Sequence, residues 1–268
     1  MLDWHKKVVL VTGSTAGFGK HLAHAFASVG ARVIVTSRRQ SRAEATAEQI
    51  RAGGGEATSY SVDVTQRSQV ADMFQWVRET EGQLDVLVNN VGQSTRGRAG
   101  ETEPEDFREL LETNLISAVH CTTSALPLLG DSQGSLVNIG SLACKSVGRN
   151  LGAYPASKFA LAAYNHQLRG ELAADGIHVL LVCPGPIRRD DAGTRYDQQA
   201  EGMDANAARP GGGVRLSGIS PERLARQVIR ACEKRQPELV VPAHARWLFA
   251  IAQLWPSWGD WIVKRYVK

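Results

Sequence analysis

The feature that most constrains this chain is a rhythm. Short runs rich in Val, Ile and Leu alternate with longer stretches in which apolar residues recur at helical spacing. Such alternation predicts a parallel sheet whose crossover helices cover both faces. Strands are expected at about 7–12, 32–37, 57–62, 84–89, 134–140, 177–183 and 238–241, and helices at about 17–29, 41–53, 66–81, 104–129, 152–175 and 220–235. The first, second and sixth strands are nearly continuous in aliphatic residues, as suits strands buried on both faces. Pro104 and Pro221 fall at helix starts, where a missing amide donor removes no intrahelical bond. The expected class is α/β, a single-domain, doubly wound fold with a seven-stranded, mostly parallel sheet.

Composition excludes the competing classes. With 268 residues, 43% hydrophobic and 22% charged, the chain can bury a substantial core, so a disordered, fibrous or disulfide-stapled architecture is not expected. Cys121, Cys144, Cys183 and Cys232 are widely spaced, with no Cys-x-x-Cys pair and no His cluster at ligand spacing, which argues against a zinc site and for reduced thiols in a cytoplasm. After Lys6-Lys7 only Val8 to Val11 are apolar, too short for a signal-peptide core, and no run approaches the roughly 20 residues that span a bilayer. The net charge of +4 comes from 31 basic and 27 acidic residues mixed along the chain. Without aromatic interleaving in the Arg38, Arg39 and Arg42 cluster, no nucleic-acid partner is expected. Residues 1–242 read as one domain, because no repeat or compositional break divides them. Within them, a polar, glycine-rich stretch at about 188–220 reads as a substrate lid, with a surface excursion as the alternative.

Chemistry enters at the end of the first strand. Thr12-Gly13-Ser14-Thr15-Ala16-Gly17-Phe18-Gly19 leads directly into a helix pattern. Gly13 permits a tight turn, Gly17 lets backbone approach a pyrophosphate, and Gly19 lets helix pack close on strand. Phosphates would then meet free amides and the positive end of a helix dipole. The second strand ends Thr36-Ser37-Arg38-Arg39, with no carboxylate where an adenosine ribose is often gripped. An ion pair from Arg38 to a 2′-phosphate therefore favours NADP(H) over NAD(H), a solvated basic pair being the alternative. Asp63, followed by Val64, is placed either to accept the adenine amino group or to cap the next helix. Asn89-Asn90-Val91-Gly92 ends the fourth strand, where short amides can tie strand ends together and Gly92 clears space for a bound ring.

The ordered set of these elements closely resembles the short-chain dehydrogenase/reductase family from about Lys7 to Val241. The resemblance rests on the Thr-Gly-x-x-x-Gly-x-Gly turn, the Asn-Asn-x-Gly segment with Val91 where Ala is usual, Asn114, Ser141, the Tyr154-x-x-x-Lys158 pair and Pro184-Gly185. Asn114 lies 27 residues before Ser141, and Ser141 lies 13 before Tyr154, as the family pattern expects. It implies a Rossmann fold that binds cofactor through Gly13, Ser14, Thr15, Gly17, Phe18, Gly19, Ser37, Arg38, Arg39, Asp63, Val64, Asn90, Val91, Gly92, Tyr154, Lys158, Pro184, Gly185 and Ile187. Asn114, Ser141, Tyr154 and Lys158 would form the catalytic set, with Asn114 holding a water that links Lys158 to solvent. One departure is Arg188-Arg189, where many members carry a Thr; the pair is either solvated or greets an acidic substrate.

Tyr154 and Lys158 are four apart, hence on one helix face, with an ammonium able to lie beneath the phenol. A free tyrosine titrates near 10, too high for proton transfer at neutrality. A cation about 4 Å away is expected to lower that by up to roughly three units. Ser141 is expected to polarise a substrate carbonyl. The implied reaction is hydride transfer between NADP(H) and a small-molecule carbonyl or secondary alcohol; a catalytically silent nucleotide sensor or scaffold of the same fold is the alternative. Ala153, Ala156, Ala160, Ala162 and Ala163 around the Tyr154 helix suggest, by analogy, close packing in a homodimer or homotetramer, an internal small-residue face being the alternative. Trp247, Trp255, Trp258 and Trp261 crowd the final 22 residues at a helical spacing broken near Pro256. This extension, 243–268, is expected to pack on the domain or a partner subunit, as a flap over the substrate cleft or a dimer contact, with a membrane-surface foot as the less favoured reading.

Overall fold

A computed structural model describes residues 3–189, 195–203, 207–209, 211 and 217–266, with side chains as far as 261. The remainder of the anticipated lid, 190–194, 204–206, 210 and 212–216, lies outside the described residues. Seven strands are present: β1 Val8–Val11, β2 Arg32–Ser37, β3 Glu56–Ser61, β4 Val86–Asn89, β5 Ser135–Ile139, β6 His178–Pro184 and β7 Glu238–Val241. They lie in the order β3-β2-β1-β4-β5-β6-β7. Every neighbouring pair is parallel, so the sheet is wholly rather than mostly parallel.

Side-chain alternation builds a core on each face. Val9 and Val11 of β1 point to one side, with Val33 and Val35 of β2, against Leu22 and Phe26 of α1 (Gly17–Ser28), Ala47 and Ile50 of α2 (Gln40–Ala52) and Leu224 and Val228 of α7 (Pro221–Glu233). Val8 and Leu10 point to the other, against Met73 and Phe74 of α3 (Arg67–Thr80) and Ala125 and Leu129 of α5 (Ser117–Ser132). Full burial stabilises each such Val, Leu or Phe by about 1.5–3 kcal/mol, which is why these strands carry no polar face.

The expected single helix over 104–129 is interrupted. α4 (Pro104–Leu111) passes through a π-turn at Glu112–Ile116 before α5 begins. π-turns concentrate at functional sites, and this one carries Asn114. α6, Tyr154–Glu171, is tied to the sheet by a buried amide chain. Asn138 Nδ2 in β5 donates to Asn165 Oδ1 in α6 at 2.9 Å, and Asn89 Nδ2 in β4 donates to Asn138 Oδ1 at 2.9 Å. Two further helices follow the sheet, α8 (Ala245–Leu254) and α9 (Pro256–Tyr266), divided where Pro256 can start a new helix but not continue the old one.

Candidate active site

In a doubly wound sheet, ligands bind beyond the carboxyl ends of the strands where the winding reverses, here between β1 and β4. Thr12 joins the two ends. Its Oγ1 accepts from the amides of Asn90 at 2.9 Å and Val91 at 3.1 Å, while Asn90 Nδ2 donates to the Thr12 carbonyl at 2.9 Å. Gly13 and Gly17 are left-handed, at φ +62° and +50°. A methyl group on Gly19 would lie 2.4 Å from Asn90 Nδ2 and 2.5 Å from the Gly13 carbonyl oxygen, so only hydrogen fits. α1 begins with no side-chain cap and no acid in its first turn. Its leading amides and positive dipole end are therefore uncompensated by its own residues, which fits a bound pyrophosphate.

The other anticipated cofactor residues divide. Phe18, Asn90, Gly92, Pro184, Gly185 and Ile187 line one cavity of about 360 Å³. Arg38 and Arg39 are exposed at the end of β2, and no salt bridge among the described residues engages them. Ser37 Oγ accepts from the Arg39 amide at 3.3 Å. Ser14 differs from expectation: it is buried, and its Oγ accepts from the Thr36 amide at 2.8 Å, bracing β1 to β2 rather than facing a ligand. Val64 is likewise buried in the core. Asp63 acts as a turn cap, its Oδ1 accepting from the amide and hydroxyl of Thr65 at 3.1 and 2.8 Å.

Ser141, Tyr154 and Lys158 converge on the same cavity. Ser141 follows β5 and starts a 3₁₀ turn, with its Oγ accepting from the Ala143 amide at 3.1 Å. Asn114, 1% exposed, donates from Nδ2 to the Gln93 carbonyl at 2.9 Å and to Ser157 Oγ at 2.8 Å, and its Oδ1 accepts from the Gln93 amide at 2.7 Å. Lys158 is buried, and its Nζ donates to the Ile139 carbonyl at 3.0 Å. Gly92 clears the space between them, since a methyl group there would sit 2.8 Å from Asn114 Oδ1 and 3.3 Å from Lys158 Nζ.

The expected acidic phenol is not found. Burial pushes the Tyr154 hydroxyl well above its ordinary value of 10; nearby Cys144 and Tyr196 add to this, while the Ser141 hydroxyl and the Arg96 charge oppose it. Burial also lowers the pKa of Lys158, whose Nζ donates to Ile139 O. Helical spacing does place both on α6, and for the phenol desolvation outweighs the Ser141 and Arg96 contributions that favour ionisation. The chain alone therefore holds Tyr154 protonated.

Three contributions lie outside the anticipated catalytic and cofactor sets. Arg96, 8% exposed, donates from Nε to the Ala207 carbonyl at 2.7 Å and from its terminal nitrogens to Arg209 O at 3.1 Å, Thr95 O at 2.8 Å and Ser94 Oγ at 3.1 Å. It also stacks 3.6 Å from the centre of the Tyr196 ring. One buried guanidinium thus holds Tyr196, Ala207 and Arg209. Arg189 is the second: it is exposed, and its guanidinium lies 3.3 Å from where a methyl group on Gly17 would be, beside the glycine turn. The third is α8, whose Leu248, Phe249 and Ala252 form cavity wall.

Comparison with known proteins agrees with this architecture. A family model described as short chain dehydrogenase matches residues 7–200. The ketoacyl reductase HetN of Nostoc is 30% identical over 266 residues, covering 96% of this chain and 88% of that protein. A dehydrogenase/reductase SDR family protein 7-like of Anopheles gambiae is 30% identical, covering 97% of this chain and 82% of its own. Among solved structures, a short-chain dehydrogenase from Streptomyces avermitilis superposes with a TM-score of 0.79 at 29% identity, covering 97% of this chain and 99% of its own. A metagenomic short-chain oxidoreductase in complex with NADP gives 0.72 at 28% identity, covering 90% and 98%. The chain belongs to the short-chain dehydrogenase family and is an oxidoreductase with a Rossmann-type fold.

Proposed function

We propose that this protein interconverts a small-molecule carbonyl and its secondary alcohol with NADP(H), Tyr154 being the proton donor in reduction. The observation that carries the reading is the convergence of Tyr154, Ser141 and Lys158 with Phe18, Asn90 and Gly92 in one cavity. When bound, the dinucleotide supplies or accepts the hydride. Ser141 holds the carbonyl oxygen by hydrogen bonding, and Tyr154 delivers its proton to that oxygen as negative charge develops. Lys158 binds the nicotinamide ribose, and Asn114 supports the proton path behind it. Apolar walls from Leu142, Leu151, Leu248 and Phe249 exclude water and favour a substrate with an apolar body.

The exposed Arg38 guanidinium, with no carboxylate beside it, supports NADP(H) over NAD(H). Exposed Ala156, Phe159 and Ala163 share one face of α6 and offer the surface on which a second copy would pack as a homodimer. The test is turnover of a carbonyl panel with NADPH, alongside coenzyme binding measured by fluorescence. Tyr154→Phe should bind NADPH but lose turnover by at least about a hundredfold. Arg38→Ala should weaken NADPH about tenfold or more with little change for NADH, since a charge-assisted contact is worth about 1.5–3 kcal/mol. NADPH binding by the wild type without turnover of any carbonyl would instead identify a nucleotide sensor.

A further inference from the structure

Among the described residues, five of the eight exposed large hydrophobic side chains fall in the stretch 247–261: Trp247 at 76%, Leu254 at 68%, Trp255 at 58%, Trp258 at 67% and Trp261 at 63% exposure. They belong to α8 and α9, which fold against each other where Gly259 meets Ala252; a methyl group on Gly259 would lie 2.6 Å from Ala252 Cβ. This hairpin is two-sided. Ala245 is buried, and Leu248, Phe249 and Ala252 face the catalytic cavity, whereas Trp247, Trp255 and Trp258 are exposed and do not line it.

Indole fits one environment better than bulk water or a hydrocarbon core. Its ring is apolar and its N–H is a donor, so tryptophan concentrates at the headgroup layer of a bilayer. The helices are 10 and 11 residues long, and no described helix is long and apolar enough to cross a membrane, so the hairpin can lie along a bilayer but not span it. Charge selects the kind of lipid. In the sequence from 243 onward, Arg246, Lys264, Arg265 and Lys268 stand against Asp260 alone. Basic residues beside interfacial aromatics favour an anionic surface.

We propose that the α8–α9 hairpin is a docking face for anionic phospholipid, seating its tryptophans in the headgroup layer and setting the catalytic cavity beside the bilayer. Docking does not depend on the reaction proposed above. It does give the apolar cavity wall on α8 a source of substrate, namely ketones or alcohols dissolved in lipid.

The experiment is co-sedimentation of the full chain with vesicles of phosphatidylcholine containing phosphatidylglycerol, and with vesicles of phosphatidylcholine alone. A variant carrying Trp247→Ser, Trp255→Ser and Trp258→Ser is compared. These side chains are exposed and none lines the cavity, so the variant should keep its far-ultraviolet circular dichroism and its NADPH affinity. The wild type should bind the anionic vesicles more tightly than the neutral ones and less tightly as salt rises. The variant should lose at least about tenfold in partitioning, because three indoles no longer enter the headgroup layer. Wild type that stays with the supernatant of both vesicles overturns the proposal, as does equal capture of wild type and variant. A wild-type dimer that the variant splits, with vesicles capturing neither, overturns it in favour of a second copy of the chain.

Discussion

Replacing Arg96 with Met keeps an apolar stem in the cavity wall and deletes the guanidinium that fastens Ala207, Arg209 and Tyr196. The magnitude follows from what each partner does next. The buried Ala207 residue gives its carbonyl little access to replacement water, so that charge-assisted bond counts at about 2 kcal/mol. Arg209 is exposed, and its carbonyl can turn to solvent at little cost. Stacking on Tyr196 adds about 0.5–1 kcal/mol. The loss of about 2–3 kcal/mol raises the open population of this segment roughly thirtyfold to a hundredfold. Trypsin reads that population at Arg195 and Arg209 when opening is fast relative to cleavage. The variant should therefore be nicked there at least about thirtyfold faster, while its Tm moves little because the opening is local. Unchanged nicking, or nicking that rises only in step with global unfolding, would refute the assignment of Arg96 as the fastener.

Three further outcomes follow from the geometry. Gly19→Ala places a methyl group 2.4–2.5 Å from Asn90 Nδ2 and the Gly13 carbonyl, so the turn must shift; expected are a strain of about 1–3 kcal/mol, a lower Tm and at least about tenfold weaker NADPH binding by titration. Because Tyr154 sits above its ordinary value of 10, the difference in phenolate absorbance between coenzyme-free wild type and Tyr154→Phe should stay near zero up to pH 10; a phenolate appearing at neutral pH would contradict the burial argument. His178 Nε2 donates to Gln236 O at 2.7 Å, and its Nδ1 pairs with Ser135 Oγ at 3.1 Å. Burial holds its pKa below 6.5, as it does for His24 and His166. Below 6.5 the unfolded chain takes up protons that the folded chain resists, so the denaturation midpoint should be level above that pH and fall as pH is lowered; a level or rising midpoint would contradict it.

The strands were legible because burial on both faces demands uninterrupted aliphatic residues, and Val8–Val11, Arg32–Ser37 and His178–Pro184 supply them nearly without break. Pro104 and Pro221 marked their helix starts because a residue without an amide hydrogen is tolerated there. The glycine turn, Ser141 and Tyr154 were legible because each lies where a strand ends or a helix begins. Spacing along one chain cannot register contacts made across it. Arg96 acts through carbonyls more than a hundred residues away, and α8 reaches the cavity only because the sheet edge delivers it there. For Tyr154, i, i+4 spacing shows a neighbouring amine but not the desolvation that opposes ionisation of the ring, nor the Ile139 carbonyl that Lys158 meets. Ser14 was placed in the cofactor set from its position in the turn, whereas its bond to Thr36 belongs to the next strand.

The most direct measurement follows the label in NADPH deuterated at its transferable position. Reduction of a carbonyl substrate by the wild type should place deuterium on the carbinol carbon of the product alcohol, and Tyr154→Phe at the same coenzyme occupancy should form that labelled alcohol at least about a hundredfold more slowly. Coenzyme consumed with no deuterium on that carbon, or labelled alcohol formed by the phenylalanine variant at the wild-type rate, would contradict the assignment of this cavity as a site of hydride transfer with Tyr154 as its acid.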